Sequence, residues 1–100
     1  MDNIDELKNA IRRLHGCEAD HVETVPVKET FNGQTVWEGE VEVFNVRGHP
    51  KAERCYAWAH AEDDTGKRYV AVLELPPVDS PRAAVRAAIV AEARGKQDAK

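Results

Sequence analysis

Histidine and cysteine are the residues of this chain most able to do chemistry. His15, Cys17 and His21 lie close together, and His49 and Cys55 follow beside a later turn. A thiolate next to an imidazole would make a nucleophile. A convergent set of such ligands would hold zinc. The spacing supports neither chemistry, because the chain has no CxxC pair and no HExxH motif,. His15 has an ordinary task available at the end of a helix, where its ring can meet the dipole. Cys55 falls in a strand and is expected to face the core. The reading is of a non-enzymatic chain, with no catalytic residue, no metal and no cofactor.

A second set of residues could bind an anion. Arg47, His49, Lys51 and Arg54 cluster around one turn, and Ser80-Pro81-Arg82 opens a helix followed by Arg86. Free N–H groups at a helix start, with cations nearby, suit a phosphate or carboxylate. Glu38, Glu40 and Glu42 form a stripe along one strand face with no metal-binding partner, and read as a solvated or interface-facing surface.

The whole-chain balance limits these options. The 100 residues carry 32% charged and 42% hydrophobic side chains and a net charge of −4. One domain with one modest core fits that length. An acidic balance argues against general nucleic-acid binding, which needs a cationic footprint. MDNIDELKNA is acidic and amphipathic, unlike a signal peptide, and no stretch is apolar enough to cross a bilayer. A cytoplasmic protein with two reduced cysteines is the expectation.

The elements that would position these residues follow from periodicity and punctuation. Ile4, Leu7, Ile11 and Leu14 make a narrow helical stripe over about 3–15. Asp2 or Asn3 can cap its start and Gly16 its end. Val22 to Phe31 alternates as a strand, with Pro26 placing it at an edge. Asn32-Gly33 is a strong hairpin signal. Thr35 to Val46, Arg54 to Glu62 and Arg68 to Leu75 complete four strands, with a turn at Arg47 to Lys51 and another at Asp63-Asp64-Thr65-Gly66. Ser80 caps a last helix over about 81–94, which Gly95 ends and a frayed tail, 96–100, follows. The fold class is α+β in the order α-β-β-β-β-α, one domain over 1–95. Short connections imply a four-stranded antiparallel meander, with both helices on one face of the sheet.

CYAWAHAE in the third strand alternates small residues with large ones. The DDTGK turn, with Asp63 opposite Lys67, puts Cys55, Ala57, Ala59 and Ala61 opposite Leu75, Leu73, Ala71 and Tyr69. That small-residue side suits an Ala-rich helix, so Trp37, Val41 and Val43 are expected to join it there. The other side then stays open and displays Phe44, Tyr56, Trp58 and His60, rimmed by Glu40 and Glu42. A patch of this kind implies a protein partner or a homodimer. The runner-up is nucleic-acid or anion binding through Arg47, His49, Lys51, Arg54, Arg82 and Arg86.

This order of helix, antiparallel strands and Ala-rich helix resembles the double-stranded RNA-binding domain, whose order is α-β-β-β-α. The resemblance implies RNA contacts by the first helix, by the loop with Arg47, His49 and Lys51, and by the helix start with Arg82 and Arg86. This chain has one strand more and is acidic. GHPKAERCYAWAH, with SPRAAVRAAIVAE after the last strand, is similar to short uncharacterised bacterial proteins of about this length. That likeness covers most of the chain and implies no activity.

Overall fold

The computed structural model describes residues 3–62 and 66–98, with side chains for 4–59 and 69–91. The expected cap Asp2, the turn residues Asp63-Asp64-Thr65 and the end of the tail lie outside that range. The order is α1 (Asn3–His15), β1 (Glu18–Phe31), β2 (Gln34–Arg47), β3 (Arg54–Glu62), β4 (Gly66–Leu73) and α2 (Pro81–Asp98). The strands form one antiparallel sheet in sequence order. The expected α+β meander is therefore the fold.

Local signals account for most boundaries. Leu7, Ala10 and Ile11 are fully buried along the α1 stripe. Gly16 ends the helix at φ 71°, and its N–H donates to the Arg12 carbonyl at 2.9 Å,. Asn32 and Gly33 both take positive φ between the paired residues Phe31 and Gln34, the tight turn that this dipeptide favours,. Ser80 Oγ accepts the Ala83 N–H at 3.1 Å, the cap expected for α2,.

Other boundaries differ. β1 starts at Glu18 rather than Val22, and a register shift between His21 and Glu23 leaves Val22 unpaired,. Only Ala19 carries the inward alternation of that early stretch, so the sequence signal is weak there. α2 continues through Gly95 to Asp98. The β3–β4 register places Ala57 opposite Ala71 and Cys55 opposite Leu73, with Glu62 opposite Gly66. This is displaced by two residues from the expected pairing, so each residue keeps its expected side of the sheet.

The two helices lie on opposite faces, which corrects the expectation of one shared face. On one side α1 packs Leu7 and Ile11 against Ala19, Phe44, Val46, Cys55 and Ala57. On the other, α2 packs Ala84 and Val85 against Val27, Val41, Val43, Tyr56 and Trp58. The physical reason is that both sides of β3 are apolar. Leaving Tyr56 and Trp58 in water would expose more apolar area than a small protein tolerates. The segment from Leu75 to Val78 carries the chain to the second face, and Val78 is buried there. Pro76-Pro77 within it is a cis peptide.

Candidate functional site

The residues expected to form an open aromatic surface are interior. Phe44 is fully buried under α1, and Tyr56 and Trp58 are buried under α2. The β2–β3 register is the cause. It sets Val43 opposite Tyr56 and Phe44 opposite Cys55, the reverse of the expected grouping. The loop between those strands fixes this parity, and loop length does not follow from turn residues alone. Glu74 does not obstruct burial, because it accepts the Tyr56 hydroxyl at the margin of the sheet. Burial first, and that hydrogen bond second, raise the Tyr56 pKa. His60 sits on β3 opposite Arg68. Glu42 is drawn into a polar contact on the α1 side, where it accepts from His21 Nε2 at 2.8 Å and from Thr24 Oγ1. Glu40 stays exposed.

The cations of the second set do not converge. Arg82 Nε lies 2.9 Å from Glu29 Oε2, and Arg86 Nε lies 2.7 Å from Glu29 Oε1. Glu29 is nearly buried, and its Oε2 lacks a well-aligned hydrogen bond. Arg47 instead pairs with Asp20, at the other end of β1. Glu29 and Glu18, the strand partner of Arg47, are eleven positions apart, roughly 35 Å along a strand. The start of α2 and the 47–54 loop are thus at opposite ends of the sheet. In that loop Lys51 and Arg54 are exposed, and His49 Nδ1 accepts the N–H groups of Lys51 and Ala52 at 3.1 and 2.9 Å.

The thiols and imidazoles are likewise separate. Cys17 and Cys55 are free and buried in the α1-side cluster. Burial pushes the Cys55 thiol up to about 12, with nearby Cys17 adding to the rise, and burial also raises Cys17. His15 Nε2 contacts the Ala71 carbonyl of β4 at 3.0 Å, whereas His21 faces Glu42. Among the described residues no three metal-ligating groups converge. No described helix is long and apolar enough to cross a membrane.

One region escaped the sequence reading. β1 and β2 are each 14 residues long, yet β2 pairs with β3 only from Glu42 to Asn45. From Gln34 to Val41, β2 has β1 on one side and, among the described residues, no strand paired on the other. Trp58 to Glu62 of β3 pair only with β4. The two hairpins therefore splay apart, and Trp37 meets Trp58 across the divide, edge to face, at 5.6 Å. A Cβ at Gly39 would lie 3.1 Å from the Trp37 indole, so that ring folds back along its own strand. The end of the β1–β2 hairpin projects with Phe31 68% and Val36 50% exposed. An open depression beside it is lined by Pro26, Lys28, Glu38, Glu40 and Arg82. The signal available in sequence was the pair of unequal strand lengths, but strand length alone does not reveal where pairing stops.

Compared with family models, curated proteins and solved structures, the chain finds no match in any of the three. The functional reading therefore rests on its own geometry.

Proposed function

We propose that this chain is a small non-enzymatic protein-binding module whose contact element is the projecting end of the β1–β2 hairpin. The observation that carries this reading is the exposure of Phe31 and Val36 on an extension that pairs with no further strand among the described residues. Apolar side chains gathered on a protruding element favour contact with another protein surface, either a different chain or a second copy. A cytoplasmic setting suits two free buried cysteines,.

A photo-crosslinking residue placed at position 31 tests the proposal, with position 14 as control because Leu14 is also exposed, at 58%. Position 31 is expected to give one discrete adduct, to itself or to another chain, that disappears in Val36→Ser. Native mass spectrometry of the purified protein then separates self-association from binding another chain. Adducts from both positions alike, or from neither, would refute the proposal.

A further inference from the structure

We propose that the wedge between β2 and β3 receives an extended peptide in which basic and small apolar side chains alternate, an inference that rests on the reading of the chain as a protein-binding module. Three features lead there. The first is backbone supply. Beyond the Glu42–Ala57 pair, the facing edges of both strands have no paired strand among the described residues. Unpaired strand edges recruit extended chains by main-chain hydrogen bonding. Paired strands lie about 4.8 Å apart, so an inserted strand needs about twice that spacing, and the pairing of β2 with β3 stops at the Glu42–Ala57 vertex.

The second feature is that the outer edges of the sheet are blunted. On β1, Pro26 removes a donor and Arg82 reaches the Lys28 carbonyl at 3.4 Å,. On β4, His15 engages the Ala71 carbonyl at 3.0 Å. A helical side chain thus engages one carbonyl on each outer edge, which favours the inner wedge as the place for an added strand.

The third feature selects the occupant. One side of the wedge is apolar, made by Trp37 and Trp58 over α2. The opposite side carries Glu38 and Glu40, both exposed and neither ion-paired among the described residues. Across the ribbon Glu38 faces Lys28 and Glu40 faces Pro26. Arg82 lines the same depression but is held by Glu29 at 2.9 Å, which leaves Glu38 and Glu40 as its unengaged carboxylates among the described residues. A strand lying in the wedge would point alternate side chains to these two sides. Small apolar residues fit against the indoles, and basic residues fit beside the carboxylates.

Trp37 and Trp58 are the two tryptophans of the chain, so intrinsic fluorescence reports directly on the wedge. The full chain is titrated with the capped peptide Lys-Val-Lys-Val-Lys and with Glu-Val-Glu-Val-Glu. The lysine peptide is expected to give a saturable change that weakens with salt. Amide shifts should centre on Trp37 to Val41 and on Trp58 and Ala59. The double variant Glu38→Lys, Glu40→Lys should weaken binding about tenfold, with an unchanged circular-dichroism spectrum because both sites are exposed. Failure of the lysine peptide to bind, equal binding of the glutamate peptide, or amide shifts away from the wedge would each overturn the proposal. A discrete crosslink from position 31 together with any of those results would leave the module standing and remove only the wedge as its peptide site.

Discussion

At the scale of single residues, Trp58 is the most consequential side chain. It looks from the sequence like a binding residue, yet it is 3% exposed and packed between Trp37, Val41 and α2. Trp58→Ala is expected to cost about 3–5 kcal/mol, as deletion of a buried aromatic does. A denaturant melt will read this as a lower midpoint. A variant with unchanged stability would show the indole to be unsupported. The alternation of Tyr56 and Trp58 with Cys55, Ala57 and Ala59 was legible in the sequence. Which side was interior was not legible, because both are, one under α1 and the other under α2. The small side is the expected interior because it suits an Ala-rich helix, whereas the large side carries His60 and Glu74, costly to bury without partners. The Tyr56 hydroxyl supplies a partner to Glu74.

At the scale of elements, α2 is attached to the rest by more than its apolar face. Glu29 of β1 holds Arg82 and Arg86 in the first two turns of α2. The arginines remain largely exposed, whereas the carboxylate is nearly buried. Glu29→Gln removes the charge and leaves two guanidinium groups without it. The expected loss is about 1–3 kcal/mol, with faster amide exchange over 82–86 than over β3. Equal exchange in variant and parent would mean that apolar packing alone seats the helix. Gly16, Asn32-Gly33 and Ser80-Pro81 announced element ends correctly, since each is a backbone or capping requirement that acts locally. The start of β1 was hidden because Glu18 and Asp20 are polar and face water. Arg12, the partner of Glu18, lies across the helix end, and Arg47, the partner of Asp20, is distant in sequence. The route of the chain from β4 to the second face of the sheet was hidden for a similar reason. No local pattern states that a connection crosses a sheet.

At the scale of the whole molecule, surface ion pairs tie α1 and the β2 end to the start of β1. A hydrogen bond from Arg12 holds the Glu18 carboxyl below its ordinary range, and one from Arg47 does the same for Asp20. A lowered folded-state pKa means a contribution to stability that is present above the ordinary carboxylate range and lost as pH falls through and below it. The urea midpoint is therefore expected to drop on acidification in that window. The double variant Glu18→Gln, Asp20→Asn should flatten the drop, and an identical slope in the variant would assign acid sensitivity to other groups. Both pairs are solvent-exposed, so the effect is small beside that of Trp58.

The two-sided burial of β3 has a last consequence. In a sheet with one wet face, water tells each strand which way up to lie, because a shift by one position drives polar groups inward. Along Cys55 to Trp58 that guidance is missing, since both sides are dry. What distinguishes the two orientations is bulk. Tyr56 and Trp58 fit beneath α2, and Cys55 and Ala57 leave room only for the close approach of α1. This strand is oriented by steric size in place of polarity. Enlarging Ala57 and shrinking Trp58 would therefore blur its orientation while leaving its hydrophobicity almost the same.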